Sequence, residues 1–193
     1  MIRLVLAGIV GYLLGSVTAG MIVPRFMGTS QDVRKEGSGN VGATNVLRTQ
    51  GKLQGALVLV GDLLKGSLAA LLGMMLAGYA GGAIAGGCAL LGHCYPLYFG
   101  FQGGKGVATA AGIILALFPQ ALLFLIPAFV IAIAVTRMVS VGSIAAAVTL
   151  VVCILLFHPP AQVGWVCFFA AAMVTWKHEG NIKRILAGTE NKL

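Results

Sequence analysis

GVATAAGIILALFPQALLFLIPAFVIAIAVT, residues 106–136, runs for 31 residues without a charge, and Pro119-Gln120 stands near its middle. As a single helix it would be about 46 Å long at 1.5 Å per residue, too long for a hydrocarbon core of about 30 Å unless steeply tilted. As two helices it gives short spans broken at Pro119. Length alone leaves both open, and the polar sequence on either side decides between them.

Three short segments rich in glycine and hydrogen-bonding side chains interrupt the apolar chain: Gly37-Ser-Gly-Asn-Val-Gly-Ala-Thr-Asn45, Gly100-Phe-Gln-Gly-Gly-Lys-Gly-Val-Ala-Thr109 and Lys177-His-Glu-Gly-Asn-Ile-Lys-Arg184. Glycine lets backbone N–H groups approach an anion, and the adjoining Lys, Arg, His, Asn and Ser side chains supply charge and donors. A phosphorylated ligand is the expected occupant. If the three segments build one site they emerge on one face, which requires an even number of crossings between the second and third. Residues 106–136 are then two short helices.

The rest of the chain is consistent with that count. With 59% hydrophobic and 9% charged residues, against about 25% charged in soluble domains, the sequence describes an integral membrane protein, all-α, with residues 1–193 as a single domain. Leu4–Val23 reads as the first span, ended by Pro24 and retained rather than cleaved as a signal peptide. Residues 53–99 are too long for one crossing and pivot near Gly78–Gly82. Residues 138–176 break at His158-Pro159-Pro160. The sum is seven spans. All Lys and Arg except Arg3 and Lys65 fall in the inter-span segments on one side or in the tail, which by the positive-inside rule puts the N-terminus outside and the C-terminus in the cytoplasm. The net charge of +8 therefore argues for membrane orientation and not for nucleic acid. Cys88, Cys94, Cys153 and Cys167 lack metal-ligand spacing and read as small buried hydrophobes. No metal or other cofactor is expected.

In the first segment a polar loop carrying Ser38, Gly39 and Asn40 should run into a helix. There Thr44, Asn45 and Arg48, at three- and four-residue spacing, share a face near the N-terminus; a plain linker is the alternative. In the second, Gly103, Gly104 and Gly106 around Lys105 form a phosphate cradle, but the spacing and the missing Ser/Thr exclude a nucleotide P-loop. His93 reads as a structural hydrogen bond to backbone before a catalytic group. In the third, His178, Asn181 and Arg184 recur every three residues. Lipid-headgroup contact accounts for the lysines but poorly for His178 with Asn181. Ser140 and Ser143 are helix caps or ligand contacts with equal weight. Asp62 and Lys65, one turn apart within a span, read as a structural pair, since an uncompensated charge at a bilayer centre costs about 2.5–3.5 kcal/mol.

Together the segments resemble the bacterial acyl-phosphate:glycerol-3-phosphate acyltransferases, the PlsY family, over essentially the full length. The resemblance rests on Gly37–Asn45 with Arg48, on Gly92-His93 with Pro96 and Phe101–Thr109, and on His178-x-x-Asn181-Ile-x-Arg184 with Gly188 and Glu190. Tyr95 and Thr18 depart from the commoner Phe and Pro. The resemblance implies transfer of an acyl group from acyl phosphate to the 1-hydroxyl of glycerol 3-phosphate at the cytoplasmic face of the bacterial inner membrane, among membrane lipids, giving lysophosphatidic acid and phosphate. Ser38, Arg48, Lys105, His178 and Asn181 then carry the chemistry, and Gly39, Asn40, Thr44, Asn45, Gly103, Gly104, Gly106, Ser143 and Arg184 bind substrate or phosphate. The base is either His178 or a phosphate oxygen of the donor. A phosphate or phosphoester transporter is the rival reading, but it requires access from both faces, and the outer loops carry no charge. An intramembrane serine protease using Ser38 is a second, weakened by the placement of Ser38 in a loop.

Overall fold

Nine α-helices account for most of residues 1–29 and 31–193, which the computed structural model describes; no strand occurs among them. Helices α1 (Ile2–Ser16), α2 (Ala19–Phe26), α3 (Ala43–Gln50) and α4 (Lys52–Cys94) are followed by α5 (Val107–Leu117), α6 (Leu122–Thr136), α7 (Val139–Phe157), α8 (Ala161–Lys177) and α9 (Glu179–Leu186). The uncharged stretch is broken where Phe118 leaves helical geometry (φ −147°, ψ 53°) ahead of Pro119, so α5 and α6 are separate helices. Helix α4 is two arms folded back on each other at Ala77 and Gly78, where Gly78 has φ +59°.

By length and apolarity three stretches can cross a bilayer alone: 52–99, Pro119–Thr136 and Val139–Phe157. Helices α1 and α2, bent by 43° at their junction, make a fourth if they form one span. That bend corrects the expectation of one continuous helix over 4–23. Val17 and Thr18 are extended, and the carbonyls exposed there find donors: Lys65 Nζ reaches Val17 O at 2.9 Å, and Thr18 Oγ1 reaches Ser16 O at 3.3 Å. Nor does Pro24 end the segment, since it lies inside α2.

Packing is that of a membrane protein turned toward lipid. Small residues face inward: a Cβ at Gly11 or Gly15 of α1 would strike the backbone of Ala85 or Ala89 on the second arm of α4, the close approach that dry helix packing needs. Large apolar side chains such as Leu64, Leu68, Ile131, Val135, Leu155 and Leu156 are instead exposed. A second apolar core joins α5 to α8 and the second arm of α4 through Leu90, Ile113, Phe118, Leu150 and Val163.

Candidate active site

Loops before α3, before α5 and after α8 converge at one end of the bundle around a cavity of about 400 Å³. Its mouth is polar, with Ser38, Asn40, Thr44, Arg48, Lys105, Ser140, Ser143, His178, Asn181 and Glu190 on the wall. Its interior is mostly apolar, bounded by Ile114 of α5, Leu125 and Phe129 of α6, Leu150 of α7 and Val174 of α8, with buried Asp62 and His93 of α4 also on the wall. One end suits an anion and the other a hydrocarbon chain.

A hydrogen-bonded chain ties the second and third segments together. Lys105 Nζ donates to Asn181 Oδ1, and Asn181 Nδ2 donates to Glu190 Oε1 at 2.6 Å. The same carboxylate accepts from Ser140 Oγ at 2.8 Å and from Arg184 Nε at 2.8 Å. Burial alone would raise the Glu190 carboxyl, but the bonds from Asn181, Ser140 and Arg184 outweigh it and hold it below the usual range. Burial brings Lys105 down to about 8 against the opposing pull of Glu190, with Arg184, Arg48 and Lys177 adding repulsion. Burial also takes His178 down to about 4, although its bond to Val174 O works the other way. His178 is therefore neutral at physiological pH. Its Nδ1 lies 2.7 Å from Val174 O and must carry the proton, which leaves Nε2 as an acceptor. Glu179, exposed and paired with Lys183 at 2.6 Å, does not orient this ring.

A pH dependence follows. The free lysine is charged below about 8 and loses its charge as pH rises through that value, so kcat/KM, which reports the free enzyme, should fall above about pH 8. Lys105→Arg should move that alkaline limb upward, because guanidinium stays charged. An unmoved limb in Lys105→Arg would assign the titration elsewhere.

Several sequence expectations are corrected by the geometry. Asn45 is 1% exposed, and its amide is consumed within the protein: Oδ1 accepts from Ser38 N at 2.9 Å, and Nδ2 donates to Val33 O and Glu36 O. It braces the loop and has no donor left for a ligand. Gly103 and Gly104 do not line the cavity; they lie on His93, with Gly104 N donating to His93 O at 3.1 Å. Of that triplet only Gly106 reaches the wall. Gly39 sits outside the cavity in a turn, its N–H bonded to Glu36 O. Arg184 is likewise outside and clamps Glu190. Neither serine of α7 caps it: Ser140 bonds Glu190 and Ser143 donates to Val139 O at 3.0 Å. His93 Nδ1 faces not a backbone carbonyl but Asp62 Oδ1, at 3.4 Å, while Lys65 pairs with the same carboxylate at 2.8 Å.

Glu190 is the site residue that sequence reasoning left out of the chemistry. Its signal was there: the chain has only five acidic residues, and one flanked by Lys183, Arg184 and Lys192 has cations within reach. Among the described residues no three His, Cys, Asp or Glu side chains converge as a metal site requires.

A polytopic helical bundle whose cavity is cationic at its mouth and mostly apolar behind it suits a membrane enzyme, and comparison with known proteins agrees. The glycerol-3-phosphate acyltransferase family profile matches residues 5–188. A protein from Moorella thermoacetica named glycerol-3-phosphate acyltransferase 2 is 44% identical over 188 residues, covering 97% of this chain and 96% of that one. A glycerol-3-phosphate acyltransferase from Roseobacter denitrificans is 46% identical over 196 residues, covering 98% and 94%. Two crystal structures of PlsY (YgiH), an integral membrane glycerol 3-phosphate acyltransferase, superpose on 98% of this chain and 95% of theirs. The glycerol 3-phosphate form has TM-score 0.92 at 37% identity, and the lysophosphatidic acid form 0.90 at 36%. The chain belongs to the glycerol-3-phosphate acyltransferase family and is an acyltransferase of the PlsY fold.

Proposed function

We propose that the protein transfers a fatty acyl group from acyl phosphate to the 1-hydroxyl of glycerol 3-phosphate, giving lysophosphatidic acid and inorganic phosphate, at the cytoplasmic face of the bacterial inner membrane. The observation that carries this is one cavity with Lys105 and Arg48 at its mouth and a mostly apolar interior behind them. Both substrates bear phosphate and one bears a long chain, so one cavity accommodates the reacting pair. The glycerol oxygen attacks the acyl carbonyl carbon, the bond from that carbon to the oxygen bridging to phosphorus breaks, and phosphate departs with that oxygen and the electron pair. The hydroxyl proton passes to His178 Nε2 or to a phosphate oxygen. Lys105 and Arg48 hold the anions, Asn181 fixes Lys105, and Ser38, Asn40 and Thr44 orient the substrates. Because the donor is a mixed anhydride, positioning and charge neutralisation suffice to drive transfer.

Turnover of acyl phosphate in detergent, beside acyl-CoA and acyl carrier protein donors, tests the reading. Release of phosphate with formation of lysophosphatidic acid from acyl phosphate alone is expected; activity only with a thioester donor would sink the donor assignment. His178→Gln separates the two bases. If the phosphate oxygen takes the proton most activity survives, whereas loss of a general base costs about 10²- to 10⁴-fold.

Ser38 orients substrate and is not acylated. A serine nucleophile needs a base within reach and a group holding that base, and the ring of His178 is held by Val174 O rather than by a carboxylate. An acyl-serine would also exchange an activated anhydride for a less reactive ester. Sequential kinetics without a phosphate burst are expected. Parallel-line kinetics with an acyl group trapped on Ser38 would revive the nucleophile.

The three segments around one cavity also favour seven crossings: α1 with α2, the two arms of α4, and α5, α6, α7 and α8. Single-cysteine variants at Gln120 and Leu193 should then label from opposite faces. Labelling of both from one side would contradict the topology.

A further inference from the structure

Asp62 and His93 stand equally far along the two arms of α4 from the pivot at Ala77 and Gly78, so the hairpin brings them together. They are 1% and 2% exposed. Asp62 Oδ1 and His93 Nδ1 face each other at 3.4 Å, and the histidine nitrogen has no other partner. Lys65 balances the carboxylate at 2.8 Å and spends a second donor on Val17 O in the broken first span. A charged triad in a membrane protein is costly unless it serves something, and what lies directly on this one is the loop carrying Lys105. Gly104 N donates to His93 O. A Cβ at Gly103 would strike that carbonyl, and one at Gly104 would strike His93 Nε2. The glycines are there so that the loop can rest on the histidine.

We propose that Asp62 and His93 are positioning residues for the acyl transfer: the Asp62 carboxylate orients the His93 ring from below, and His93 fixes the Gly103–Gly106 turn so that Lys105 meets the phosphate. Lys65 keeps the pair electrically neutral and anchors it to the break between α1 and α2. This rests on the acyl phosphate reading above, in which Lys105 holds an anion.

The test is a double-mutant cycle on acyl phosphate turnover, with hydrogen exchange of residues 100–106 measured beside it. His93→Ala should lower kcat/KM by about tenfold in the wild-type and Arg48→Ala backgrounds, and by no more than about twofold once Lys105 is alanine, since residues acting through one group are not additive. Equal losses in all three backgrounds would overturn the proposal. To guard against misfolding, Asp62→Leu/Lys65→Met is compared with Asp62→Asn/Lys65→Met. Both remove the two charges together, but only asparagine keeps an acceptor opposite His93 Nδ1. The asparagine variant should keep turnover and slow exchange at Gly104, and the leucine variant should lose both. Matching behaviour of the two would show that the carboxylate does not orient the ring. Because exchange at Gly104 does not depend on the substrate, it decides the positioning role even if another donor proves correct, while wild-type turnover decides the donor.

Discussion

Lys105→Ala should lower kcat/KM about 10- to 150-fold, the equivalent of losing one charge-assisted contact worth roughly 1.5–3 kcal/mol. The cause is specific. Lys105 is held at the cavity mouth by Asn181 and lies above His93, so its ammonium is placed before substrate arrives. A preorganised cation in a partly desolvated site gains more from a phosphate than a freely moving surface lysine does. Arg48→Ala should fall in the same range, since it lines the same cavity. Steady-state kinetics on detergent-purified variants with unchanged melting temperatures measure both. A near-wild-type Lys105→Ala enzyme would contradict the assignment of Lys105 to phosphate.

The parts of the fold that were legible in the sequence are those decided locally. Pro119 and the excess length of residues 106–136 announced the break between α5 and α6, and the glycines near Gly78 announced the hairpin of α4. The break at Val17 and Thr18 was not legible although Gly15 and Gly20 flank it, because neither residue at the break is itself a glycine or a proline. It exists because Lys65, 48 residues away in sequence, supplies a donor to Val17 O. Asn45 shows the same limit within the site. Helical spacing put it on the ligand-facing side of α3 with Thr44 and Arg48, and that face does line the cavity. What spacing could not show is the demand of the preceding loop, whose Val33 and Glu36 carbonyls each accept from the Asn45 amide in addition to a backbone N–H. The spacing of the glycines around Lys105 suggests backbone open to an anion; that two of them rest on His93 depends on how the loop folds back over the end of α4, which spacing does not show.

Glu190→Ala should cost more than either cation, and in two properties at once. Removing this carboxylate leaves Ser140 Oγ and Asn181 Nδ2, both buried, without their acceptor, and frees Arg184 Nε from its ion pair. Orphaned buried donors cost about 1–3 kcal/mol each, so the melting temperature should drop by several degrees or more. The catalytic loss follows from the chain of bonds. With Nδ2 free, nothing keeps the Asn181 amide turned so that Oδ1 meets Lys105, and turnover should fall by roughly 100-fold or more as both the asparagine and the lysine lose their placement. Glu190→Gln retains one oxygen for Ser140 and Asn181 but turns an amide toward Arg184, so it should lie between alanine and wild type in both measures. Glu179→Ala provides the contrast: its ion pair with Lys183 is solvent-exposed on both sides, and such pairs contribute little, so melting and turnover should stay near wild type. If Glu190→Ala melts and turns over like the parent, the carboxylate is not what orients Asn181, and the placement of Lys105 must come from the His93 side alone.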